Sequence, residues 1–191
     1  MGGSTGPIIA EFRPARTGKN WSSTTNITAY VGIDEVEGVH DLTFVGKSNH
    51  GVMSLKWFEL SDFAERAEEH SRIEAYKYST QLKTQFGSSA NLGYFDKGDF
   101  VTYSKINFGE AGTTNTILMH YGRDKSGGSI EVRLGSQTGE IIKEISLPST
   151  GGWDIKVTKP ISISGVEGVH DLTFVGKGTS GLMNLSWFEL Q

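Results

Sequence analysis

The sequence predicts an all-β protein, an antiparallel β-sandwich of the jelly-roll kind. Three observations carry that expectation. The 191 residues hold 25 glycines and only 4 prolines, with 10 Phe, 6 Tyr and 4 Trp, a balance that favours short strands and tight turns. Runs of β-branched and aromatic residues recur at spacings of about 8–12 residues, as in sandwiches and barrels. Each run is bounded by clusters of Gly, Ser, Asn or Asp, such as Lys125-Ser126-Gly127-Gly128 and Thr150-Gly151-Gly152, the residues that supply turn geometry.

Taken in chain order, the strand runs are Phe100–Ile106, Thr116–Tyr121, Ser129–Leu134, Glu140–Leu147 and Val169–Phe174. In Ser129–Leu134, Ile130, Val132 and Leu134 alternate with Glu131 and Arg133, which is the pattern of a half-buried strand. The terminal run Leu185–Leu190 alternates in the same way and places Trp187 in the core.

Self-comparison divides the chain. Residues 36–60 reappear as residues 166–190, with 19 of 25 positions identical and a constant offset of 130. Upstream, Ile8–Trp21 resembles Ile141–Trp153, so the four tryptophans form two pairs, Trp21 with Trp153 and Trp57 with Trp187. Nothing before Ile8 matches the stretch from Arg72 to Glu140. The expected organisation is therefore a scar or linker over 1–7, the C-terminal half of a repeated sandwich unit over 8–60, a charged linker over 61–71 and one complete sandwich over 72–191. The half-unit reads as a cut from a longer array, or alternatively as a half deliberately kept as a partner surface. A unit of this length is a self-sufficient domain rather than a solenoid repeat.

Composition excludes several classes of function. There is no cysteine, hence no disulfide, thiolate metal site or cysteine nucleophile. A net charge of −4 argues against nucleic acid as a partner. No run approaches the roughly 18 apolar residues of a membrane span, and the opening MGGSTG lacks the basic start and apolar stretch of a signal peptide. His40, His50, His70, His120 and His170 show no metal-ligand spacing. Asp96 and Asp99 invite comparison with a glycosidase acid pair, but around Lys97-Gly98 they read as turn formers.

The aromatic inventory is more informative. A sugar ring offers a C–H face to a flat aromatic side chain and a rim of hydroxyls to amides and carboxylates. Trp153 follows Gly151-Gly152 in a turn, a position that favours an exposed ring, the alternative being a core tryptophan.

The complete unit resembles a family 6 carbohydrate-binding module, a β-sandwich appended to polysaccharide-degrading enzymes. The resemblance rests on Ile73–Tyr78 (IEAYKY), Asn91–Tyr103 (NLGYFDKGDFVTY), Ser149–Trp153 (STGGW) and Gly168–Leu190 (GVHDLTF…MNLSWFEL), in that order over nearly all of 72–191. It implies a cleft at the loop end of the sandwich, with Tyr94 and Trp153 as the two rings that hold a sugar and Asn184 as the hydroxyl-binding amide. Gln85 stands at the cleft edge, where many members carry a glutamate. In the first copy Trp21 persists, but Ser54 replaces the asparagine and the tyrosine segment is missing, so that copy is not expected to bind sugar in the same way. The resemblance also implies a structural calcium near Glu74, with Tyr76 and Ser186 standing where further oxygen ligands are common; the site is weakened or lost, since calcium takes six to eight oxygens. Asn184-Leu185-Ser186, Asn20-Trp21-Ser22 and Asn26-Ile27-Thr28 are also glycosylation triplets; the cleft role of Asn184 is preferred unless the source is a eukaryote.

The leading expectation is a secreted, non-catalytic module that tethers a parent glycoside hydrolase or cell-surface protein to a polysaccharide. The alternatives are an adhesive sandwich that binds a protein partner, and a small glycoside hydrolase.

Overall fold

The computed structural model describes residues 3–14, 31, 33, 36–48, 50–60, 72–86, 91–112 and 114–191. Among these the regular structure is β throughout. The strands are β1 (Ile73–Glu74), β2 (Thr80–Leu82), β3 (Gln85–Phe86), β4 (Leu92–Gly93), β5 (Phe100–Asn107), β6 (Asn115–Arg123), β7 (Ser129–Leu134), β8 (Ile141–Ser146), β9 (Gly152–Ile163), β10 (Val169–Lys177) and β11 (Asn184–Leu190). One sheet has the order β3-β4-β11-β6-β9, with β1 also paired to β11, and the other runs β2-β5-β10-β7-β8. All pairings are antiparallel. From β5 to β11 the chain passes back and forth between the sheets, which is the two-sheet jelly-roll arrangement the composition predicts.

Side-chain alternation packs the two sheets together. In β6, Ile117, Met119 and Tyr121 are fully buried while Leu118 and His120 lie on the outer face. They meet residues of the opposite sheet around an aromatic knot, where Tyr103 lies edge-on to Phe188 at 4.7 Å and to Phe174 at 5.9 Å. Such edge-to-face pairs contribute about 0.5–1.5 kcal/mol each beyond area burial. The Tyr103 hydroxyl donates to the Ala75 carbonyl at 2.9 Å, so the knot also anchors the start of the sandwich.

Several elements depart from the sequence reading. The sequence reading places no strand over Gly152–Ile163, yet these residues form β9, in which Pro160 pairs in register with Leu118. Proline removes a ladder donor, and β9 tolerates it because it is an edge strand. Trp187 is not in the core: on the outer face it stacks on His120 (4.8 Å, 8° between planes), and the Arg72 guanidinium lies 4.0 Å over its ring. A bulge between Leu185 and Trp187 shifts the alternation that suggested burial. Glu131, read as the polar side of β7, is 6% exposed. Arg133 and Lys177 bind it at 2.6 and 3.1 Å, which compensates the burial of its charge.

In the first copy of the repeat, the described residues of 36–60 form no strand. Their counterparts β10 and β11 are interior strands, each hydrogen-bonded on both sides. Trp21 and the linker 61–71 lie outside the described residues.

Candidate functional site

One end of the first sheet brings three sequence-predicted residues into line. Asn184 opens β11, opposite Gly122 near the end of β6, and its neighbour Leu185 pairs with Leu92 of β4. The Asn184 carboxamide lies over Gly93: a Cβ there would sit 2.5 Å from Asn184 Oδ1. On the other side, Gly122 leaves room for the Trp153 carbonyl and the Lys156 ammonium, which a Cβ would meet at 2.3 and 2.8 Å. Two glycines thus flank the amide and leave it half-buried. Tyr94 follows Gly93 on one side, and Trp153 stands at the start of β9 on the other.

Tyr94 points outward because its backbone is left-handed, with φ at 53°. That conformation turns a ring that is 66% exposed away from Phe95, which is fully buried. Lys83 is also left-handed, with φ at 61°. Both residues line the same open depression of about 510 Å³, together with Gln85, Asp96, Lys97, Asp99 and Ser180. Non-glycine residues held in this region store strain of order 1–3 kcal/mol and cluster at ligand sites. Gln85 pairs with Gly93, so the sheet itself fixes it beside Tyr94.

Asp96 and Asp99, which both line the depression, are engaged in local hydrogen bonds. Asp99 is 4% exposed and accepts from the Asp96 backbone N–H at 3.0 Å; desolvation raises its pKa. Asp96 Oδ1 accepts from the Gly181 N–H at 2.6 Å, and the Phe95 carbonyl accepts from Leu182 N–H at 2.7 Å. These bonds pin the 178–183 loop beside Tyr94. The loop also reaches Trp153, whose ring edge would lie 3.2 Å from a Cβ at Gly181. Trp153 and Asn184 lie outside the lining of the depression, and Ser180-Gly181 connects the two parts of the site.

The Trp153 wall is built by an irregular strand and a buried cation. Gly152 pairs with Arg123 and Lys156 with Gly122, so Trp153, Asp154 and Ile155 bulge out of the ladder, a device that re-aims side chains. Lys156 Nζ donates to the Trp153 carbonyl at 2.6 Å and closes the bulge; its burial lowers the lysine pKa. Beneath, Arg123 is 1% exposed. Its guanidinium donates to the carbonyls of Leu147, at 2.5 Å, and Gly127. Its backbone exchanges hydrogen bonds with Thr150, whose hydroxyl accepts from the Arg123 N–H at 2.8 Å. Burial lowers the Arg123 pKa. The supporting roles of Arg123, Thr150, Gly181 and Asp96 were not read from the sequence, although Asp96, Thr150 and Gly181 fall inside the motifs quoted above; an isolated arginine at a strand end reads as solvated.

Glu74, beside which the resemblance implies a calcium, lies on β1 next to β11. Glu74 pairs with Trp187, the residue covered by Arg72 and His120. Ser186 Oγ donates to Asn91 Oδ1 at 2.6 Å and the Ser186 carbonyl accepts from Ala75. Among the described residues no group of three or more His, Cys, Asp or Glu converges.

A sandwich that carries an exposed ring, a half-buried ring and an amide along one sheet end has the arrangement of a carbohydrate-binding module. The comparisons with known proteins identify which kind. The family model described as "Carbohydrate binding module (family 6)" matches residues 64–191. The chain belongs to that family. It is 36% identical to a family 6 module from Clostridium cellulolyticum solved with xylose, over 63% of this chain and 96% of that one, with a TM-score of 0.58. A module from Clostridium stercorarium, solved with cellobiose, is 31% identical over 63% of this chain and 92% of that one, with a TM-score of 0.54. Among curated proteins, endo-1,4-beta-xylanase A of Thermoclostridium stercorarium is 29% identical over 98% of this chain; the chain spans 29% of that relative's length.

Proposed function

We propose that the sandwich binds a β-linked plant polysaccharide, a xylan or β-glucan, in the groove from Tyr94 across Asn184 to Trp153, and thereby tethers a secreted glycoside hydrolase to its substrate. The observation that carries this reading is the alignment of two rings and an amide across one sheet end. Tyr94 and Trp153 supply flat faces for the C–H surface of a pyranose, Asn184 offers a donor and an acceptor to its hydroxyls, and Gln85 extends the polar edge. The xylose and cellobiose complexes of similar modules support the choice of ligand. The match to a xylanase over 98% of this chain supports a hydrolase as the parent and an array of modules as the source of the repeat; an extracellular setting follows from an insoluble substrate. Calcium has no part in this reading.

The test is affinity electrophoresis against soluble xylan, hydroxyethyl cellulose and laminarin. Retardation without hydrolysis is expected on at least one of them. Trp153→Ala should abolish retardation, because a stacked tryptophan typically supplies about 2 kcal/mol or more at a binding hot spot, roughly 30-fold in affinity. Undiminished retardation of that variant overturns the site; absence of retardation on all three, with a protein ligand recovered instead, favours the adhesive alternative.

A further inference from the structure

The near-identity of residues 36–60 and 166–190 acquires a physical meaning once the sandwich is seen. Every buried side chain of 166–190 recurs 130 positions earlier except Leu182, which is replaced by Val52. The remaining differences fall at exposed or half-buried positions. Even a glycine with no freedom is kept: a Cβ at Gly176 would meet the Asp96 carbonyl oxygen at 2.2 Å, and its counterpart is Gly46. The first copy therefore carries all but one of the side chains needed to occupy the paths of β10 and β11.

Within these 191 residues that copy is exposed where its counterpart is buried. Phe44, Leu55 and Phe58 are 45%, 49% and 56% exposed, where Phe174, Leu185 and Phe188 are fully buried. Its local geometry already approaches that of the seated copy. The Phe44 and Phe58 rings lie 5.4 Å apart, against 5.3 Å for Phe174 and Phe188. A ring nitrogen of His40 meets the Glu37 carbonyl at 2.6 Å, as His170 meets Glu167 at 2.8 Å.

The connection permits the substitution. β1 pairs antiparallel with β11, Ile73 opposite Phe188 and Glu74 opposite Trp187, so the end of β11 lies beside the start of β1. Leu60 aligns with Leu190 and is joined to Ile73 by residues 61–72, far more chain than the about 2–5 residues a hairpin needs. Residues 36–60 seated in those paths would lead through 61–72 directly into β1. The result is a circular permutant of the same sandwich, which folds commonly accept when their termini are adjacent.

We propose that residues 36–60 exchange with residues 166–190 within one molecule, so that 73–165 forms either of two sandwiches. The two states expose equivalent apolar surface, because one copy is always seated and one always free. They differ at the groove. Exchange puts Ser54 in place of Asn184, Lys56 in place of Ser186 and His50 in place of Ser180. On the glycan reading above, on which this consequence rests, the permuted state lacks the sugar-binding amide.

The full chain, which has no cysteine of its own, allows a direct trap. Thr173 lies opposite Thr102, their hydroxyls 2.8 Å apart, and directly opposed antiparallel residues meet the Cα spacing of a disulfide. Thr43 aligns with Thr173. In the Thr43→Cys/Thr102→Cys variant under mild oxidation, peptide mapping is expected to show an intramolecular 43–102 disulfide whose yield does not depend on protein concentration. Thr102→Cys/Thr173→Cys is the positive control. Free thiols after the control has closed, or links only between molecules, overturn the proposal. A second measurement covers loss of folding: Phe174→Ala/Phe188→Ala should keep a cooperative melt that disappears when Phe44→Ala/Phe58→Ala is added, and the absence of any melt in the first variant also overturns it. Neither readout involves sugar, so failure of the glycan reading remains separable. If both hold, the 43–102 linked form should bind xylan at least 10-fold more weakly than the 102–173 form.

Discussion

Gly93→Ala tests the groove without altering any side chain assigned to the sugar. The new Cβ would stand 2.5 Å from Asn184 Oδ1, 3.4 Å from its Cγ and 4.0 Å from the Gln85 carbonyl. An ordinary carbon–oxygen contact is at least about 3.2–3.4 Å, so the amide must retreat by nearly an ångström, whereas the backbone of β3 is undisturbed. Gly93 is not among the positive-φ residues, so alanine fits its backbone, and reduced freedom of the unfolded chain contributes about 0.4–1 kcal/mol in its favour. Turning an exposed half of a side chain costs a similar amount in lost packing. Stability should therefore change by less than about 1 kcal/mol, visible as a small shift in Tm. Binding should suffer much more. A neutral hydrogen bond contributes roughly 0.5–1.5 kcal/mol, and an amide offering two of them loses about 1–3 kcal/mol when displaced, or about 5–150-fold in Kd. Asn184→Ser, which installs the residue found in the first copy, should fall in the same range. Isothermal titration with xylo- and cello-oligosaccharides measures both. If Gly93→Ala binds as tightly as the parent while retaining its melt, Asn184 does not hold the sugar.

Arg123→Ala removes a buried guanidinium that ties two carbonyls and leaves a cavity under the Trp153 wall; with about 1–3 kcal/mol for a buried acceptor left unpaired, a loss of about 2–4 kcal/mol is expected, read by urea denaturation. The His120 pKa is lowered, first by burial and then by Arg72 and Lys156. The unfolded chain thus takes up a proton before the folded one, so stability should fall as pH drops below the unfolded value near 6.5. His120→Gln should flatten this part of the Tm profile between about pH 7 and 5. Glu131 is pushed up by burial, but hydrogen bonds from Arg133 and Lys177 outweigh this and its pKa is lowered. Its stabilisation is present above the unfolded carboxylate value and lost as pH falls below it, and Glu131→Gln should remove that acid-side loss. EDTA is expected to leave Tm unchanged within about 1–2 °C, since the oxygens near Glu74 make a poor calcium shell; a large drop would show a bound ion that stabilises the sandwich.

β5, β6 and β7 were legible because their β-branched and aromatic residues, or their alternation, agree with the way they pack. β1 to β4, two or three residues long, leave no periodicity to detect, and β9 carries a mid-strand proline that only its place at the sheet edge explains. At the site, Tyr94 and Trp153 stood out by chemistry and turn context. The residues that hold them did not. Arg123 contributes through burial, which composition assigns to apolar residues, and Asp96 acts on a backbone N–H far along the chain, at Gly181. Trp187 was misplaced by one register step, since a single bulge reverses inside and outside.

The left-handed backbone at Tyr94 also sets a limit on engineering this protein for heat resistance. A side chain in that region costs about 1–2 kcal/mol relative to glycine, so Tyr94→Gly or Tyr94→Asn is among the easiest stabilising changes the chain offers. A library sorted only on survival after heating would drift toward those residues and discard the exposed ring. Selection would have to include retention on polysaccharide at every round, because at this position durability and adhesion favour different amino acids.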